Sequence, residues 1–113
     1  MEPSIRNLNA AERSTTGERP WWLIRAEDGA PNNMMIYLEL EPGEASPLHT
    51  HAHEHSAFIL RGTGILLCGG KEYPLNTHDA VLVPQNVEHQ IKNTGTAIMG
   101  RVVCNPINAF RPQ

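Results

Sequence analysis

Four of the six histidines in this chain of 113 residues fall within seven positions: His49, His51, His53 and His55. Residues two apart on a β-strand point to the same face, so an extended backbone would place all four rings on one side. Neutral imidazole is the commonest biological ligand for zinc, copper, iron and nickel, and it also binds manganese. Such a row makes a poor core unless something is there to coordinate. The competing reading is an exposed His-rich turn of purely compositional origin.

The elements that must position these rings are short and extended. Met34 to Glu41 alternates, with Met34, Ile36, Leu38 and Leu40 on one face and Met35, Tyr37, Glu39 and Glu41 on the other. That is the pattern of a half-buried strand whose even set faces inward. Similar stretches begin at Trp21 and Ala57, and recur over Ile65–Cys68, Lys71–Leu75, Ala80–Val83, His89–Lys92 and Ala97–Cys104. Gly69-Gly70 is a two-residue hairpin signal, and Asn76 to Asp79 and Asn93 to Thr96 are turns. No segment keeps helical periodicity over three turns, so the chain reads as an all-β sandwich or barrel. Its length suits one domain with a real core and not two. Residues 1–20 are polar and weakly patterned and are expected to form an N-terminal arm; residues 21–113 are expected to form the single barrel.

Composition narrows the partners. The formal charge is −3 and the nine Lys and Arg are scattered. No basic stripe with interleaved aromatics is present, so no nucleic-acid partner is expected. No run approaches the roughly 18–20 apolar residues that cross a bilayer, so no membrane partner is expected either. Residues 1–20 lack the apolar stretch of a secretory signal. Cys68 and Cys104 form no Cys-x-x-Cys pair and read as free thiols, which favours a cytoplasmic chain.

Two stretches resemble the paired motifs of the cupin superfamily. Gly43, five residues, His49, Thr50, His51, three residues, His55, six residues and Gly62 match the first motif, with His55 where most members carry Glu. His78, Pro84, Asn86, His89 and Asn93 match the second, with His78 and Asn86 in place of two glycines. Both replaced positions are turn sites, and Asn and His are among the non-Gly residues that best tolerate positive φ. The resemblance spans residues 34 to 104. It implies a double-stranded β-helix, the jelly-roll barrel of cupins, holding one divalent transition metal: manganese, iron, nickel, copper or zinc. Carried over residue by residue, the ligands are His49, His51, His55 and His89, which resembles the small cupins with a four-histidine site. His53 matches no motif ligand and is placed at the pocket mouth or in a bulged turn; His78 is placed in a turn.

Replacing Glu by His changes the charge of the ligand set. Three His and one Glu leave a divalent ion at about +1, and four neutral His leave it at about +2. The stronger Lewis acid favours water, enolate, carboxylate or peroxide in its open positions. The swap also deletes a carboxylate that could act as a base beside the metal, and Glu54 should point away. Met34, Ile36, Leu38 and Ile59 are the expected apolar walls of a substrate pocket, with Ala57 and Val83 possible from strand parity. Arg101 clamps a substrate carboxylate if the odd residues of the last strand face inward, or lies outside in a salt bridge if they do not. The expected function is a metal-dependent oxidoreductase of the dioxygenase type on a small enolisable or aromatic-alkene substrate. The alternatives are a zinc-dependent, non-redox isomerase or cyclase, and a non-enzymatic small-molecule-binding cupin. Trp21-Trp22 after a free arm suggests a homodimer interface, or else a cap on the barrel within one chain.

Overall fold

The alternation read between Met34 and Glu41 folds as a strand with its even residues buried, and that strand organises the larger of two sheets. The computed structural model describes residues 2–108. Eight strands follow in order: β1 (Trp21–Ile24), β2 (Asn33–Leu40), β3 (His55–Arg61), β4 (Gly64–Cys68), β5 (Lys71–Leu75), β6 (Ala80–Val83), β7 (His89–Lys92) and β8 (Met99–Pro106). One sheet has the order β1-β2-β8-β3-β6 and the other β5-β4-β7, with every pairing antiparallel. The connections form a jelly roll, which is the double-stranded β-helix expected above. Among the described residues, the only helical pieces are the 3-10 turns Leu8–Ala10 and Ala26–Asp28. No helix of the described residues is long and apolar enough to cross a membrane.

Two apolar clusters divide the interior. Leu40, Ile59, Val83 and Met99 from the five-stranded sheet meet Leu66, Leu75 and Ile91 from the three-stranded sheet, closing one end of the barrel. Ile36, Leu38, Ala57 and Val103 form a second cluster that comes from the five-stranded sheet alone. The opposing side there is the irregular segment that carries the histidines, so this half of the barrel encloses a cavity. The odd residues of β8 face inward: Met99, Arg101, Val103 and Asn105 are all buried.

The turn residues behave as their chemistry requires. His78 and Asn86 take positive φ, 74° and 62°, in the two places where glycine was replaced. Gly43 and Gly62 of the first motif are also at positive φ. Asn93, the last motif residue, is used structurally. Its Nδ2 donates to the carbonyls of Leu40 and Ala97 at 2.8 and 2.9 Å, and its Oδ1 accepts from the Gly95 N–H.

The N-terminal segment is folded against the sheet. Arg6 makes a fork with both carboxylate oxygens of Asp28 at 2.8 Å and donates to the Leu23 carbonyl. With Arg6 and the Arg25 N–H on it, the Asp28 carboxyl sits well below the usual carboxylate range. Arg13 bridges to Trp21, and its guanidinium lies 3.7 Å above the indole. The Trp22 N–H donates to Glu12 and the Ser14 N–H to Pro20, so residues 12–22 turn back on themselves. Trp21 packs against Tyr37 with ring centroids 5.4 Å apart, and Trp22 packs on the second cluster. Trp21 thus covers the outward face of β2, and Trp22 lies against the interior. That cover explains why Tyr37, on the outward face of β2, is buried; burial and the Glu39 carboxylate push its phenol up to about 12.

Candidate metal centre

The histidine row is not a single strand. His55 opens β3, His49 forms an isolated bridge with His89, and the chain bends between them at Ala52 and His53. The His49 and His89 backbones exchange hydrogen bonds at 3.0 and 3.2 Å. The turn carrying Asn86 reaches across to donate its N–H to the His51 carbonyl at 2.8 Å. The late motif thus holds the early one in place through the backbone, and a bend replaces the expected alternation.

The rings still converge. His49, His51 and His89 offer nitrogens within 4.8 Å of one another, and so do His51, His53 and His55. Ring centroids are 5.0 Å apart for His49–His51, 4.7 Å for His49–His89, 4.6 Å for His51–His89, 5.2 Å for His51–His55 and 5.3 Å for His55–His89. An ion bound to imidazole at about 2.0–2.1 Å holds its ligand nitrogens about 3–4 Å apart, inside the 4.8 Å limit that each group meets; His49 and His89 fall in the first group, His55 in the second, and His51 in both.

Hydrogen bonds select which ring nitrogen is available. His51 Nδ1 lies 2.7 Å from the His53 carbonyl and His89 Nδ1 lies 2.8 Å from the Val87 carbonyl. A carbonyl only accepts, so both Nδ1 atoms carry the proton and both Nε2 lone pairs are left free, as in metal-bound histidines. His89 Nε2 is buried and has no partner among the described residues, and a buried lone pair without a partner is costly. The His55 pKa is lowered to about 3, first by burial, then by the charges of His89, His51, His53 and Arg101. Burial also lowers His49. Neutral imidazoles are the form that binds metals, so the donor set fits a divalent ion.

His53 belongs to the cluster more closely than the motif suggested. Its ring stacks on His51 at 3.9 Å with the planes 4° apart, and its carbonyl orients His51. His78 lies apart, stacked on Phe58.

A cavity of about 300 Å³ adjoins the cluster. Of the expected walls, Ile36, Leu38 and Arg101 line it, with Val103 and Ile91. Met34 and Ile59 are not among its lining residues, which corrects the strand-parity expectation. Ile59 is wholly buried in the closed-end cluster, and Met34 lies at the other end of β2, opposite Asn105. Parity gives the face of a residue but not its depth along the barrel. Val83 is likewise in the closed-end cluster, and Ala57 packs with Ile36, Leu38 and Val103 but is not among the lining residues.

Arg101 faces inward and also forms a salt bridge, so it has the inward orientation of one reading and the ion pair of the other. Its Nη2 lies 3.2 Å from Glu18 Oε1. Glu18, Ser46, Thr50 and Asn105 also line the cavity and carried no motif signal. Ser46 is occupied, since its hydroxyl accepts from the Ile91 N–H. Asn105 Oδ1 is buried without a partner among the described residues.

A jelly-roll barrel with clustered histidines at its cavity is the architecture of one protein class, and comparison with known proteins agrees. The cupin domain model matches residues 36–104, and the chain belongs to that family. It is 35% identical over 107 residues to auxin-binding protein 1 of Arabidopsis thaliana, covering 82% of this chain and 54% of that protein. The chain thus spans about half the length of that relative. It is 34% identical over 86 residues to an oxalate-binding protein of Thermotoga maritima, covering 74% of this chain and 71% of the relative. The polyketide cyclase RemF of Streptomyces resistomycificus superposes with a TM-score of 0.83 over 94% of this chain and 80% of its own, at 18% identity. That last likeness concerns the fold.

Proposed function

We propose that the chain is a metal-dependent oxidoreductase of the dioxygenase type acting on a small organic substrate, with His49, His51, His55 and His89 as the metal ligands. The observation that carries the metal site is the buried Nε2 of His89, without a partner among the described residues, with its own Nδ1 and that of the neighbouring His51 tied to backbone carbonyls. A divalent ion held by four neutral nitrogens would supply Lewis acidity and, if redox-active, electrons for dioxygen chemistry. The barrel's own residues do the rest. His53 supports His51 by stacking and through its carbonyl. Ile36, Leu38 and Val103 give the substrate an apolar wall that excludes water. Arg101 offers a fixed cation at the same cavity. The relatives named for auxin and oxalate are consistent with a small organic ligand.

The test is oxygen uptake by the iron, manganese and copper forms against a panel of enolisable and aromatic-alkene acids. Dioxygen is the co-substrate, so uptake should match product formed. Equal turnover without oxygen, or stoichiometric zinc in protein purified without added metal, would instead support a Lewis-acid isomerase or cyclase. Ligand binding without turnover would support a binding module.

We further propose that two copies pair through the outer face and edge of β3 and β6. Phe58, Leu60 and Leu82 are exposed there by 41%, 44% and 61%, and β6 is an edge strand of its sheet among the described residues. Sedimentation of the full chain and of Leu82→Lys should show a dimer and a monomer; a monomer in both refutes the pairing.

A further inference from the structure

We propose that Arg101 forms a carboxylate subsite separate from the histidine centre, with Glu18 as its internal occupant, so that the cavity's ligand is a small organic monoanion that competes with Glu18. The proposal deepens the substrate reading above and rests on it only for the ligand's size.

Arg101 projects from β8 into the barrel, in register with Leu38 on one side and Ile59 on the other, and is only 4% exposed. A guanidinium so placed has lost its water and must be repaid by partners. One partner is present: Glu18 Oε1, on Nη2 alone. Nη1 is buried and has no partner among the described residues. Arginine presents its N–H groups as a planar fork that a carboxylate fills with two parallel bonds. Glu18 fills one position and leaves the other in a residue that lines the cavity.

Glu18 is an unusual partner for a buried cation. It comes from the turned segment of residues 12–22 and not from a barrel strand, and its side chain keeps 32% of its exposure while that of Arg101 keeps 5%. The segment is anchored on either side, at Ser14–Pro20 and Trp22–Glu12, so Glu18 can be displaced without unpinning the chain. A structural tether would need no open guanidinium position. A subsite does, and its surroundings suit a carboxylate with a compact apolar body, since Leu38, Val103 and Ile36 border the same space.

The experiment titrates the full chain, metal-loaded and after chelation, with benzoate and its neutral isostere benzamide. Wild type should favour benzoate on the order of tenfold in both forms, the increment expected of one charge-assisted pair. Glu18→Gln removes the competing charge and keeps an acceptor, so benzoate should bind on the order of tenfold tighter with benzamide unchanged. Arg101→Gln should abolish the preference and Arg101→Lys should keep part of it; thermal melting of each variant confirms folding. Retention of the full preference by Arg101→Gln overturns the subsite. Unchanged benzoate affinity in Glu18→Gln, with a lowered melting temperature, makes Glu18 a tether and overturns its role as occupant. A preference that disappears on chelation assigns the carboxylate to the metal and overturns the subsite, while leaving the oxidoreductase reading intact. A preference that persists in protein without oxygen uptake upholds the subsite and removes that reading instead.

Discussion

Alanine substitutions across the histidine cluster should separate the metal's ligands from their neighbours. Four-ligand zinc sites bind with about 10–16 kcal/mol, so each comparable ligand carries roughly 3–4 kcal/mol, a factor of about 10²–10³ in affinity. His89→Ala should reach that range, because it removes the buried Nε2 whose orientation is fixed by the Val87 carbonyl. His49→Ala, His51→Ala and His55→Ala should fall with it. His53→Ala should not. The bond that orients His51 comes from the backbone carbonyl of residue 53, which alanine keeps, so only the 3.9 Å stacking contact is lost. That loss should cost about tenfold or less, the low end of what supporting residues contribute. The assay is competition against a chelator of known affinity, with metal content of the purified protein and circular dichroism as a folding control. A different pattern would refute the assignment: affinity lost in His51→Ala, His53→Ala and His55→Ala but kept in His49→Ala and His89→Ala. The ion would then sit in the other histidine group, that of His51, His53 and His55.

Three further outcomes are expected. The pKa of His55, about 3 in the folded chain, lies below its ordinary value of 6.5, so the unfolded state takes up a proton first as pH falls. Stability of the chelated protein should be full above about pH 6.5 and drain away toward pH 3, with about 1 kcal/mol lost by pH 5 after allowance for partial exposure. Denaturant titrations from pH 7 to 5 check this, and the same slope in His55→Gln would refute it. Ile59→Ala removes a wholly buried side chain between the two sheets and should cost about 2–5 kcal/mol while leaving metal affinity near wild type; urea unfolding and the chelator assay measure both. Gly64→Ala would press its Cβ onto the Lys92 carbonyl and against Met99 Sδ, where backbone cannot yield cheaply, and should cost about 1–3 kcal/mol; an unchanged melting temperature would contradict that contact.

Strands were legible where the chain states its own period. The alternation from Met34 to Glu41 settles which face of β2 is buried, because side chains on a strand alternate by geometry alone. Turn chemistry was equally local. His78 and Asn86 were expected to bear positive φ in place of glycine, and they do. Depth was not legible. Ile59 and Leu38 have the right parity for a pocket wall, yet one lies in the closed end and the other at the cavity, because distance along the barrel depends on register between strands far apart in sequence. The bend through Ala52 and His53 was hidden for the same reason, since it is held by the Asn86 N–H, thirty-five residues later than the His51 carbonyl it meets.

By itself the sequence determined an all-β barrel, the paired cupin motifs and the histidines that can meet at one centre, since each is written in neighbouring residues whose types and spacing carry the physics. The tertiary structure alone decided that His53 stacks into the cluster, that Arg101 faces the cavity while paired, and that Glu18 from the N-terminal segment is its partner. Eighty-three residues separate Glu18 from Arg101. No local pattern marks such a pair; only packing of the N-terminal turn against the barrel brings the two charges together.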